Sequence, residues 1–247
     1  MKLTVIGCGD AFGSGGRRQT SYLLESGSSR VLIDCGATTS MGFNALGLDP
    51  NAVGSIVISH LHGDHFGGLV WWLIHALYVG KRREPLAVWG PPGIEARFNA
   101  ACDALFPGTR GVARTFDMRF HEMSEGKDLT IAGFAVSAFE VVHPSGAPSH
   151  ALRFVDGKKV FAFTGDSEWT ASLIEAGRGA DLYMMECYRF AGVPTYHMSW
   201  ESIRPNLDAI GAKRILLTHM SDEMLARAHE VEDARVTMAA DGLVVEV

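Results

Sequence analysis

The segment Ser59-His60-Leu61-His62-Gly63-Asp64-His65 restricts the fold more than any other stretch of the chain. It places three histidines and one aspartate in a single short run, directly behind an apolar stretch at 55–59 that reads as a strand. In extended backbone, positions i and i+2 point the same way, so His60 and His62 can converge on one metal ion. Where the chain then turns into a helix near Phe66, Asp64 and His65 arrive from another direction and can serve a second ion close by. Imidazole nitrogen and carboxylate oxygen are donors that zinc accepts at about 2.0–2.2 Å. They also suit manganese and iron(II). A packed core is a poor place for four such side chains, because buried histidine and aspartate need partners. The motif therefore belongs at a strand–helix junction.

The rest of the chain supplies a scaffold for such a junction. Short β-rich runs at 3–6, 21–24, 30–33, 55–59, 86–89, 134–142, 151–155, 160–163, 182–185, 214–218 and 243–247 read as strands. Helical patterns fall at 38–46, 66–78, 94–105, 168–176, 199–210 and 222–229. Strand follows strand near the start, and later strands alternate with helices. That order predicts an α+β chain folded as an αββα four-layer sandwich, with two mixed sheets and helices outside. Glycine and proline clusters punctuate it without an inter-domain linker, so 1–247 reads as a single domain.

Composition narrows the function. Hydrophobic residues make up 47% and charged residues 20% of the 247, which is ordinary globular usage and excludes disordered, collagen-like and coiled-coil classes. The formal net charge of −6 argues against general nucleic-acid affinity. No apolar run approaches the ~20 residues of a membrane span. Cys8, Cys35, Cys102 and Cys187 are scattered, which suggests reduced thiols and a cytoplasmic chain. Gly7, Gly9 and Gly13, with Asp34 further on, superficially suggest a dinucleotide turn. However, Phe12 stands where the third glycine belongs, and 19–25 reads as a strand where a crossover helix should run.

Four donors in one loop are too few for two ions. Three later strands each end on a polar ligand: Val142-His143, Gly165-Asp166 and Thr218-His219. The alternatives are a loop residue for His143 and a helix N-cap for Asp166.

H-x-H-x-D-H followed by separate His, Asp and His at strand ends resembles the metallo-β-lactamase superfamily. Within it, the chain is most similar to the ribonuclease Z branch and its phosphodiesterase relatives that lack the tRNA-binding arm. The turn Gly7-Cys8-Gly9-Asp10-Ala11-Phe12-Gly13, Leu48-Asp49-Pro50, Trp89-Gly90-Pro91-Pro92-Gly93, Glu186-Cys187-Tyr188 and His197-Met198-Ser199 carry that likeness. The resemblance implies that His60, His62 and His143 hold one divalent ion, most simply zinc, with manganese or iron as alternatives. Asp64, His65 and His219 would hold the second, and Asp166 would bridge the two. It also implies acid/base roles for Asp64 and His197, with Glu186 orienting the His197 ring. His197 could otherwise be a surface histidine before a helix capped by Ser199.

A pair of divalent ions lowers the pKa of a shared water, so that hydroxide attacks in line and charge on the attacked centre is neutralised. A general acid such as His197 matters most for an alkoxide leaving group, which favours phosphodiester hydrolysis. The short span from His143 to Asp166 holds two strands and a turn and leaves no room for a tRNA-clasping arm. The expected partner is therefore a small phosphodiester, such as a cyclic one, rather than a large structured RNA, and a homodimer is compatible with the resemblance. Hydrolysis of a lactone, thioester, other carbon ester or sulfate ester would use the same ligands. A metal-binding regulator without turnover is the alternative from another class. Lys81-Arg82-Arg83 reads as a solvated helix end. Phe66, Trp71 and Trp72 read as core, or as an apolar wall on which a base could stack. Arg189 and Phe190 are candidates for the mouth of the site.

Overall fold

The structure is a computed structural model and describes residues 1–247. The first half of the chain runs through β1 (Lys2–Gly7), β2 (Ser21–Ser26), β3 (Ser29–Ile33), α1 (Thr39–Ala45), β4 (Ser55–Val57), α2 (Gly63–Phe66), α3 (Gly68–Tyr78), β5 (Leu86–Gly90), α4 (Ile94–Leu105) and β6 (Met118–Glu122). The second runs through β7 (Leu129–Ile131), β8 (Phe134–Val141), β9 (Ser149–Asp156), β10 (Lys159–Phe163), α5 (Ser172–Gly177), β11 (Leu182–Glu186), α6 (Trp200–Ile203), α7 (Leu207–Ile210), β12 (Ile215–Thr218), α8 (Asp222–Arg227) and β13 (Val236–Met238), and ends on β14 (Val244–Glu246).

Two seven-stranded sheets result, ordered β14-β1-β2-β3-β4-β5-β6 and β13-β12-β11-β10-β9-β8-β7. Each is antiparallel on one side and parallel on the other. β14 to β3 and β7 to β10 pair antiparallel, whereas β3 to β6 and β10 to β13 pair parallel across helical connections. This is the αββα sandwich that the order of strand and helix signals predicts.

Strand periodicity explains the layering. Along β3, Val31 and Ile33 join the core between the sheets, while Leu32 joins the core under the helices. Along β11, Leu182 and Met184 face inward, and Tyr183 and Met185 face the helices on the other side. Alternate residues thus enter different cores, and strands buried on both faces read as unbroken apolar runs. Three apolar layers separate the four structural ones. Phe154, Phe161 and Phe163 pack between the sheets. Phe43, Trp72 and Phe98 sit under the first helical layer, and Leu173, Trp200 and Met224 under the second.

Several expectations change at this level. The helix expected over 66–78 is two helices parted at Gly67, after which the Gly68 amide leaves the helical ladder and donates to the Cys35 carbonyl at 2.8 Å. The helix expected from 168 starts at Ser172, because the Ser167 amide donates to Glu186 and the Glu168 amide to the Val142 carbonyl. Asp166 is therefore no N-cap. The helix expected over 199–210 breaks into α6 and α7 around Pro205, which cannot continue an α-helical hydrogen-bond ladder. Strands β6, β7 and β13 carry no clear sequence signal, being short or at sheet edges. Arg82 is not a solvated helix end. It is buried, donates to the carbonyls of Pro50, Val53, Glu84 and Pro85, and lies 5.9 Å from the Phe116 ring centroid.

A candidate metal centre at the sheet rim

The C-terminal ends of β4, β8, β10, β11 and β12 meet at one rim, and all nine predicted site residues gather there. His60, His62, Asp64 and His65 occupy the β4–α2 connection, with His62 in extended backbone just before α2. His143 follows β8, Asp166 follows β10, Glu186 ends β11 and His219 follows β12. Asp166 is reached through Gly165, whose φ of +60° and whose closeness to the His150 carbonyl (2.7 Å from an added Cβ) both exclude a side chain.

The side chains form two adjoining groups, His60 with His62 and His143, and Asp64 with His65, Asp166 and His219. His143 Nε2 lies 2.9 Å from His62 Nδ1. His65 Nε2 lies 3.4 Å and His219 Nε2 3.2 Å from Asp64 Oδ2. Asp166 stands between the groups. Its Oδ2 is 3.3 Å from His65, 3.2 Å from His219, and 3.9 Å from both His60 and His143. Ligands on a tetrahedral zinc ion at about 2.1 Å sit roughly 3.4 Å from one another, which is the spacing seen here.

Most of the rings are aimed by a hydrogen bond through Nδ1. Ser59 Oγ holds His60 at 3.1 Å, Asp34 holds His65 at 2.6 Å, and the Tyr196 carbonyl accepts from His143 at 2.7 Å. Fixing Nδ1 leaves Nε2 for a ligand and sets the tautomer. His60 Nε2, His65 Nε2, His219 Nδ1 and Asp166 Oδ1 are buried without a hydrogen-bond partner. Buried polar atoms left unpartnered are costly, and a cation would satisfy those aimed into the cluster. The donor set fits a divalent metal site.

The charges agree. Burial holds His60 well below its ordinary pKa and His143 down at about 4, so both rings are neutral and able to coordinate. Burial alone would raise the Asp64 and Asp166 carboxyls, but neighbouring imidazoles hold both well below the usual carboxylate range. Burial would lower His65 and His219, but Asp166 and Asp64 outweigh it and raise both rings. A proton and a metal ion would therefore compete for these two rings.

Glu186 is fully buried, with one oxygen accepting from the Ser167 amide at 2.8 Å and from His197 Nδ1 at 3.2 Å. Burial pushes the His197 ring down, Glu186 more than reverses this, and its pKa rises to about 9. The His197 ring stacks 5.5 Å from His219 and stands edge-on 5.0 Å from His143. A cavity of about 230 Å³ opens here, lined by Phe12, Tyr188, His197 and residues of both donor groups. A larger depression of about 600 Å³ around Phe190, Arg204 and Glu232 lies outside the donor cluster.

Asp34, a strand-end carboxylate that the sequence pairs only with the dinucleotide pattern, belongs to the metal-site scaffold instead. It sits at φ +55°, fully buried, and binds the Ser59 amide and hydroxyl as well as His65. Ser59 and the Tyr196 carbonyl had no sequence signal for their roles. Phe66 and Trp72 are core, while Trp71 is partly exposed and packs edge-on to Phe106. Phe190 packs under Arg227 beside the larger depression, not at the mouth.

A sandwich of two mixed sheets with a His/Asp cluster at one rim is the metallo-β-lactamase arrangement, here of the ribonuclease Z-like kind. Residues 1–244 match the model of the family described as Anti-Pycsar protein Apyc1, and the chain belongs to that family. It is 30% identical to the "Probable metallo-hydrolase YhfI" of Bacillus subtilis over 259 aligned residues, covering 100% of both chains. The YhfI crystal structure superposes with a TM-score of 0.78 over 99% of this chain and 98% of that one, at 25% identity. A Bacillus velezensis ribonuclease Z is 26% identical over 90% of this chain and 88% of its own length. The Anti-Pycsar protein Apyc1 of Bacillus phage 010DV004 is 26% identical over 91% and 90%. The chain is therefore a member of a metallo-hydrolase superfamily, and no helix in it is long and apolar enough to cross a membrane.

Proposed function

We propose that the protein is a metal-dependent phosphodiesterase acting on a small, cyclic phosphodiester, with His197 as general acid. The observation that carries this reading is the His197–Glu186 pair beside the donor cluster. His60, His62 and His143 would hold one divalent ion, Asp64, His65 and His219 a second, and Asp166 would serve both; zinc is the first choice, with manganese or iron accommodated by the same donors. The chemistry such ions would supply there is activation of water as a nucleophile and neutralisation of charge on the phosphoryl oxygens.

The chain's own part is proton transfer and positioning. Glu186 occupies Nδ1 of His197, so Nε2 is the atom that delivers a proton to the departing oxygen. Its raised pKa keeps that proton available at neutral pH. A thiolate leaving group needs such an acid less than an alkoxide does, which favours a phosphodiester over a thioester. Substrate size follows from two features. The span between His143 and Asp166 is taken up by the β9–β10 hairpin within the sheet, with no projecting arm. The cavity is also small. Both favour a small phosphodiester over folded RNA.

Turnover of bis-aryl phosphates, cyclic nucleotides, a lactone and a thioester by zinc- or manganese-loaded protein tests the reading, with His197→Ala as control. Cleavage of phosphodiesters that collapses in His197→Ala is expected. Consumption of only the lactone or thioester would overturn it.

A further inference from the structure

We propose that Glu168 is a positioning residue, whose carboxylate latches the loop between β11 and α6 so that the His143 and His197 rings are set together. This rests on the reading above of His143 as a metal ligand and His197 as the general acid.

Residues 193–197 gain little from packing. Val193 is 90% exposed, and Thr195 and Tyr196 also face solvent. Tyr196 stands at φ +63°, a conformation that residues with a side chain rarely adopt and keep only where the surroundings fix it. Hydrogen bonds must therefore hold this stretch. Two of those reaching other segments end on the site itself, with the Tyr196 carbonyl accepting from His143 Nδ1 at 2.7 Å and His197 Nδ1 donating to Glu186 at 3.2 Å. The third runs from the Tyr196 amide to Glu168 Oε1 at 2.9 Å.

Glu168 can act as an anchor because its own backbone is fixed to the donor cluster. Its amide donates to the carbonyl of Val142, the residue before His143, at 3.0 Å, and the Val142 amide donates to Ser167 Oγ at 3.2 Å. The Ser167 amide donates to Glu186, the partner of His197, at 2.8 Å. Asp166, Ser167 and Glu168 thus contribute in succession a member of the donor cluster, a support for Glu186 and a latch on Tyr196. A carboxylate accepting from a backbone amide makes one of the stronger hydrogen bonds. Without it, the left-handed turn at Tyr196 would relax toward ordinary backbone angles. Its carbonyl would then turn from His143, and the His197 ring that follows would move from Glu186.

Two measurements on Glu168→Ala and Glu168→Gln test the assignment. The first titrates the full-length protein with cobalt(II) against a chelator and records the visible spectrum of the bound ion, which needs no turnover. Glu168→Ala should bind cobalt about 10-fold more weakly with an altered spectrum, because the His143 ring is no longer aimed. Glu168→Gln keeps an acceptor oxygen for the Tyr196 amide and should restore most of the affinity and the wild-type spectrum. A merely structural tie would lower the unfolding temperature and leave the cobalt spectrum of the folded protein alone. The second measurement is steady-state hydrolysis of a bis-aryl phosphate. Glu168→Ala should lose roughly 10–100-fold in kcat with little change in KM, as a misplaced proton donor would, and Glu168→Gln should recover most of it. Wild-type cobalt binding or wild-type kcat in Glu168→Ala overturns the proposal, and so does equal damage in Glu168→Gln. The cobalt result as expected, in a protein that hydrolyses no phosphodiester, upholds the latch and sinks the phosphodiesterase reading instead.

Discussion

Residues 60–65 hand over four donors from one turn, whereas the second sheet hands over His143, Asp166 and His219 singly, from the ends of β8, β10 and β12. The first arrangement is local, since its geometry follows from one strand–helix junction. The second exists only once β8 through β12 are paired in register, because nothing but the sheet brings those ends together. A local cluster can supply chelating side chains in quantity. A dispersed one ties the site to the folded state of half the molecule.

The largest expected effect tests whether the dispersed half is indispensable. Asp166→Ala removes the one carboxylate within 4 Å of imidazoles from both groups. Turnover should fall by about 10⁴-fold, and bound metal measured by elemental analysis should drop as well. Retention of both would show that residues 60–65 suffice alone. His197→Ala, which leaves all seven donors in place, should cost about 10³-fold in kcat while metal content stays at the wild-type level. Loss of metal in that variant would make His197 a ligand rather than an acid.

Asp34→Asn probes the local half, where a buried carboxylate aims His65. A fall of about 10–100-fold in metal affinity, measured by competition with a chelator, is expected. The smallest effect concerns pH. A general acid works protonated, so activity declines as pH rises through its pKa. Glu186 raises the His197 pKa, so Glu186→Gln should shift the alkaline limb of kcat toward lower pH by about one unit. An unmoved limb would remove Glu186 from the proton-transfer role.

The same contrast explains what the sequence discloses. The histidine-rich turn is readable because its spacing alone sets its directions. His143, Asp166 and His219 are readable more weakly, as polar residues ending apolar runs, and their meeting depends on the fold. Asp34 shares their pattern but touches His65 across a long sequence separation, so nothing local marks its partner. The Tyr196 carbonyl is a backbone group and carries no residue signature at all. Strands β6 and β13 lie at sheet edges, where half-solvated residues such as Arg119 and Thr237 break up the apolar pattern. Arg82 looks like surface charge until β4 and its flanking loops enclose it with carbonyl acceptors.

The loop between β11 and α6 has a double attachment. Tyr196 offers its carbonyl to the His143 ring, and the next residue presents the His197 imidazole to Glu186. One short segment therefore steadies the His143 ring and carries the His197 ring. Displacing it would slacken the first and withdraw the second in the same motion.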